Sequence, residues 1–240
     1  MNMTQGMSEK LMALAEAQRE PMVAFCSDLI RTPSLSGREE EAARLVQAEM
    51  TRLGYDEVWI DQVGNVVGLL RGSGGGPRLQ FNTHLDHVDP GDHEAWPHPP
   101  YGGEVHDGAI WGRGACDLKG PMAAQIHALA ALRAAGLPHR ADIYLAGVVF
   151  EEKGGLGTRH LARTLPCDYA VIGEVTGNEL MRGHRGRREI VARFHGRSVH
   201  ASVPSLGVNP HYSAARFLAR VRDMPMVQDA FLGPATVAPT

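Results

Sequence analysis

No stretch of this sequence approaches the ~20 consecutive apolar residues that a membrane-spanning helix needs. The first twenty residues interleave acids, bases and apolar side chains without a continuous apolar run, so no secretory signal is expected there. Cysteine is scarce. Cys26, Cys116 and Cys167 are odd in number and far apart, which excludes a disulfide framework and zinc-ribbon spacing. Free thiols of this kind fit a reducing compartment, and the expected location is cytoplasmic. An excess of one charge is also lacking. The formal net charge is −3, which gives no electrostatic footprint for nucleic acid. The short basic run over residues 182–188 reads as a solvated turn or strand edge.

What is present is the composition of a globular protein. Of the 240 residues 43% are hydrophobic and 21% charged, enough for one large domain or for one domain and part of another. Residues 8–31 carry apolar positions at helical spacing, with an interruption expected at Pro21. Ser36-Gly-Arg-Glu39 has the form of a capping box and precedes an amphipathic helix stopped by Gly54. Strands are expected at 57–60, 65–71 and 78–82, with the glycine-rich turn 72–77 between the last two. That turn lacks the Lys-Ser/Thr and the following helix of a phosphate loop. Residues 88–108, rich in Pro, Gly, His and Asp, read as one long irregular loop.

An Ala-rich helix is expected over 119–135, then the continuous apolar strand 143–150, a short helix near 158–164 and a strand at 169–172. This alternation predicts an α/β fold, a mixed central sheet with helices on both faces. Beyond about residue 184 the pattern changes to a strand at 189–194 and a helix at 210–222. A second, partial α+β module is therefore expected over 184–240, after a first domain at 1–183.

Four segments carry acids or histidine where an open α/β sheet gathers its site, at strand ends. His84 and Asp86 sit two apart after an apolar strand, on the same side. One can ligate a metal while the other accepts the imidazole N–H and fixes its tautomer. Asp117 lies in a glycine-flanked turn just before a helix, where it could equally be a helix N-cap. Glu151 and Glu152 follow the buried strand directly, so one can bind a metal while its neighbour stands free as a base. Glu174 follows the next strand. Taken singly, each is more often a solvated or hydrogen-bonding residue; their conjunction suits two divalent ions about 3.5–4 Å apart, which can activate water and polarise a carbonyl. His-x-Asp is also two-thirds of an iron-binding facial triad, but the long helices between strands disfavour a jelly roll, and that reading leaves Asp117 and the Glu pair idle.

The run His-x-Asp, Gly-Arg-Gly-x-x-Asp-x-Lys-Gly over 112–120, Glu151-Glu152 and Gly173-Glu174 resembles the metallopeptidase and deacylase family of acetylornithine deacetylase, succinyl-diaminopimelate desuccinylase, aminoacylase and glutamate carboxypeptidase. The segment 196–210, Gly-Arg-Ser-Val-His-Ala-Ser-Val-Pro and then Gly-Val-Asn-Pro, resembles that family's lid signature. The 96–102 loop and Gly183–Arg187 look most similar to the YgeY-like branch, linked with selenium metabolism.

The resemblance implies a hydrolase of amide bonds in N-acyl amino acids or small peptides, acting as a homodimer with zinc, or with cobalt or manganese. It implies His84 and Glu174 on one metal, Glu152 on the second and Asp117 bridging both. Asp86 would orient His84, Glu151 would be the general base, and His200 would steady the oxyanion from a partner subunit. The family's second metal takes a further histidine near the C-terminus. The last histidine here is His211, in the lid segment, so the chain reads as C-terminally truncated and impaired. The alternative is an inactive fragment serving as a binding or assembly module.

Overall fold

The structure, a computed structural model, describes residues 3–239, with side chains over 6–239. It divides into two units, Met1–Asn178 and Glu179–Thr240. The boundary falls five residues before the change of pattern in the sequence.

The first unit opens with α1 (Met3–Ala17) and α2 (Arg19–Arg31). The break is at Gln18, not at Pro21. Pro21 occupies the first turn of α2, where its missing N–H removes no intrahelical bond. Next come α3 (Glu40–Arg52), β1 (Glu57–Ile60), β2 (Val66–Leu70) and β3 (Leu79–His84). The expected long loop is not wholly irregular. It holds a 3₁₀ turn at His93–Ala95 and ends in a hairpin of β4 (Glu104–His106) and β5 (Ala109–Trp111). Asp107 and Gly108 join these strands, both with positive φ, as a tight two-residue hairpin turn requires. The unit continues with α4 (Gly120–Ala135), β6 (Ile143–Val148), α5 (Leu156–Thr164) and β7 (Tyr169–Ile172).

Five strands form one mixed sheet in the order β1-β2-β6-β3-β7. The pairs β1/β2 and β2/β6 are antiparallel, whereas β3 runs parallel to both β6 and β7. Alternation along the strands divides the core. Val66, Leu70, Ile143 and Leu145 face a cluster with Leu29 and Ile30 of α2, Val46 and Met50 of α3, and Met122 and Ile126 of α4. Val67, Leu69, Tyr144, Ala146 and Val148 face the other way and pack with Leu161 of α5. Helices thus cover both faces, as expected. No helix among the described residues is long and apolar enough to cross a membrane.

The second unit contains α6 (Pro210–Arg222) and a minimal hairpin of β8 (Gln228–Asp229) and β9 (Gly233–Pro234). Asn209 caps α6 by accepting the His211 N–H. The strand expected at 189–194 does not form. Ile190 and Val191 are exposed, and no neighbouring strand pairs with them. An alternating sequence makes a strand only where a ladder partner satisfies its backbone.

Candidate metal centre

The parallel half of the sheet assembles the site. His84, the last residue of β3, lies in register with Val148 at the end of β6, and Asn82 with Ile172 at the end of β7. Leu85 N–H donates to Val148 O and Gly173 N–H to Asn82 O, carrying both pairings one step further. The C-terminal ends of three strands therefore meet at one edge with His84, Glu151, Glu152 and Glu174. Gly173 is needed at this crossing, since a Cβ there would stand 2.6 Å from Gln125 Nε2 and 2.8 Å from Thr83 Cγ2.

His84 is buried. Its Nδ1 lies 2.8 Å from the backbone oxygen of Asp86 and 3.6 Å from that residue's Oδ1. A carbonyl only accepts, so Nδ1 carries a proton, and Nε2 is the nitrogen that faces the Asp117 side and donates there while the ring is charged. Nε2 lies 2.9 Å from Asp117 Oδ1. Burial opposes charge on this ring, but bonding to Asp86 and the carboxylate of Asp117 outweigh it and raise its pKa to about 9.

Asp86 is fully buried and ties the edge together. Its carboxylate accepts from Ser36 Oγ at 2.6 Å, from Glu151 N at 3.0 Å and from Glu152 N at 3.2 Å. Burial alone would raise its pKa; His84 and these donors hold it below the usual value. Asp86 therefore does two things. Its main chain fixes the imidazole and its side chain fixes the turn that bears the two glutamates.

That turn is not the extended backbone expected for Glu151-Glu152. Phe150 has φ 57, a left-handed conformation uncommon for a bulky residue, and Gly154 and Gly155 N–H close the turn on Glu151 O and Phe150 O. Buried Glu39 braces it by accepting from Phe150 N at 3.1 Å through one oxygen and from Gly37 N at 2.8 Å through the other. The Ser36–Glu39 pattern is thus no capping box. α3 starts without a side-chain cap, and both side chains serve the site edge instead.

Asp117 arrives from the hairpin side. Gly114, in the left-handed region at φ 80, lets the chain double back so that Lys119 N–H reaches Gly114 O. Lys119 is buried and donates from Nζ to Leu29 O and Thr32 O, each at 2.7 Å, pinning the turn to the end of α2. Burial lowers its pKa to about 7. The N-cap position of α4 belongs to Lys119, and the Asp117 carboxylate faces His84 instead.

Donor atoms of His84, Asp117 and Glu152 all lie within 4.8 Å of one another. Glu151 and Glu174 fall outside that trio, yet their charges act on it. The pKa of Glu152 is raised by burial first and then by Asp117, with Glu151 adding. That of Glu174 is raised by burial and by Asp117, Glu151 and Glu152. Several carboxylates forced together beside one imidazole form a nitrogen/oxygen donor set that a divalent cation would relieve. In the second unit, His200 lies on an exposed loop, its Nδ1 2.7 Å from Ser202 Oγ. That loop folds on itself through paired bonds between Arg197 and Val208.

The model of peptidase family M20/M25/M40 matches residues 80–228, a span from before His84 to beyond His200, and the chain belongs to that family. It is 32% identical over 229 residues to the uncharacterized protein YgeY of Escherichia coli (strain K12), covering 93% of this chain and 56% of that protein. It is 30% identical over 207 residues to succinyl-diaminopimelate desuccinylase of Maricaulis maris (strain MCS10), covering 80% and 52%. The chain thus spans about half the length of these curated relatives. Among solved structures, human carnosine dipeptidase 1 matches with a TM-score of 0.59 at 24% identity, over 68% of this chain and 40% of that one. Aminopeptidase PepT from Bacillus cereus ATCC 10987 matches with a TM-score of 0.55 at 24% identity, over 86% and 57%. Both share the fold. The family resemblance and the fold class expected from the sequence therefore hold.

Proposed function

We propose that this edge of the sheet is the centre of a two-metal hydrolase that cleaves the C–N bond of N-acyl amino acids or small peptides. The observation that carries the reading is the convergence of His84, Asp117 and Glu152 within 4.8 Å, with Glu151 and Glu174 beside them. His84, Asp117 and Glu174 would hold one ion and Glu152 the second, with Asp117 shared. The donor set suits zinc, with cobalt or manganese as substitutes. Bound ions supply Lewis acidity and lower the pKa of water.

The chain's own residues supply the rest. Glu151 takes a proton from the attacking water as its oxygen bonds to the acyl carbon, and gives that proton to the amine nitrogen as the C–N bond breaks. Asp86 orients His84 and holds Glu151 in place through its backbone N–H. His200 is assigned to the oxyanion, contributed across a homodimer, in a cytoplasmic enzyme.

The test is hydrolysis of a panel of N-acyl amino acids and dipeptides by protein stripped with a chelator and then reloaded with zinc. Activity should vanish and return. Glu151→Gln should lower kcat on the order of 10²–10⁴-fold with zinc binding retained. Hydrolysis indifferent to the chelator, or to Glu151→Gln, contradicts the reading, and folded, zinc-loaded protein without activity on any of the panel favours a binding module.

A further inference from the structure

A second group of ligand-type side chains, sharing no residue with the edge just described, lies on the hairpin that leads to Asp117. Glu104 and His106 are two apart on β4 and so project from the same face. His106 Nε2 is 2.7 Å from Glu104 Oε2. His98, from the preceding loop, brings its Nδ1 to 3.9 Å from the same oxygen. The rings of His98 and His106 are stacked, with centroids 3.9 Å apart and planes 7° from parallel. Trp111, opposite Glu104 in the hairpin register, meets the His98 ring edge-on at 4.9 Å.

The three donors lie within 4.8 Å of one another. The backbone that presents them is well fixed. His98 stands in Trp96-Pro-His-Pro-Pro100, where the prolines restrict φ, and Gly102 N–H and Arg113 N–H close this segment on Pro99 O and Pro100 O. The hairpin is closed by Asp107-Gly108. The bond from His106 keeps Glu104 below its ordinary pKa, so its carboxylate is ionised and ready as a ligand.

We propose that His98, Glu104 and His106 form a second divalent-cation site, one that takes a borderline transition ion such as zinc. Two imidazoles and one carboxylate are an established donor set for zinc, with the remaining positions filled by solvent. Bonds of about 2.0–2.2 Å in tetrahedral array place ligand atoms about 3.3 Å apart, so the group must contract and one ring must turn out of the stack to aim its lone pair. The side chains are 27%, 43% and 41% exposed, which leaves room for that rotation. Occupancy would tie the proline-rich loop to the hairpin immediately before the Asp117 turn. The proposal does not depend on the hydrolase reading.

The experiment is calorimetric titration of chelator-stripped protein with zinc in four forms: the parent chain, Asp117→Ala, the pair His98→Ala with His106→Ala, and all three together. Asp117→Ala should retain one equivalent of zinc, and the histidine pair should remove it. Loss of direct ligands should weaken the site by more than the roughly 10–100-fold that loss of an outer hydrogen-bond partner costs. If Asp117→Ala does not fold, the readout moves to the parent chain, where the histidine pair should lose one equivalent with its circular dichroism unchanged. Copper(II) should also quench Trp111 through the adjacent His98, an effect that Trp111→Phe abolishes. Zinc stoichiometry unchanged by the histidine substitutions, or no zinc retained by folded Asp117→Ala, overturns the proposal while leaving the His84 centre untouched.

Discussion

The two units differ in what holds them. All the buried apolar side chains, from Phe25 to Leu161, lie in the first unit, whereas no described residue of the second is buried. In the first, β2 has strands on both sides and all five of its residues are buried. In the second, the run 189–194, read from the sequence as a strand, finds no partner and forms none. Periodicity thus states what a segment could bury, and tertiary neighbours decide whether it does.

Substitutions can sharpen that contrast. The largest effect is expected at Asp86, because its side chain satisfies three donors in the dense unit. Asp86→Ala leaves Ser36 Oγ and the N–H groups of Glu151 and Glu152 without their acceptor, at about 1–3 kcal/mol for each that stays buried. Urea unfolding should show a loss on the order of several kcal/mol, and zinc affinity should fall roughly 10–100-fold as the turn that carries Glu152 loses its anchor. Loss of neither would show that Asp86 does not organise the edge.

Leu145→Ala, in the core between the sheet and its helices, should cost about 2–5 kcal/mol. Phe217→Ala in the second unit removes only an aromatic pair with Phe194, centroids 5.5 Å apart, and should cost about 0.5–1.5 kcal/mol. Equal costs in denaturant titrations would contradict the contrast between the units.

The smallest effect concerns pH. His127 is buried, with Nδ1 2.9 Å from Gln18 Oε1, Nε2 3.2 Å from Glu49 Oε1 and the Phe25 ring beside it. Burial lowers its pKa, and Arg52 adds to this against the pull of Glu49. The unfolded chain, protonating near its ordinary pKa of about 6.5, therefore binds more protons over the window below that value. Stability of the first unit should be complete above it and decline as pH falls through the window toward the lowered folded pKa. His127→Gln should flatten that decline in thermal melts at pH 5 to 7; an unchanged slope would rule out His127 as its source.

The candidate centre was legible because its ligand types sit at strand ends, and parallel neighbours bring such ends together without any distant detail. His84 ends β3, and Glu152 and Glu174 follow β6 and β7 in that way. Asp117 was legible through the glycines that shape its turn. The bracing was not. Ser36 and Glu39 match a local helix-cap pattern, while their real partners, Asp86 and Phe150, lie 50 and 111 residues away. Lys119 likewise gave no sign that its amine would be buried against the end of α2. The hairpin of β4 and β5 had a signal in Asp107-Gly108, but its strands are too short to show alternation.

The central claim, that the His84 edge is a metal centre, is tested most directly by zinc titration of stripped protein carrying His98→Ala and His106→Ala, with and without Asp117→Ala. The account predicts at least one equivalent bound in the first and its loss in the second. Folded protein that binds no zinc, or binds it equally well without Asp117, would contradict it.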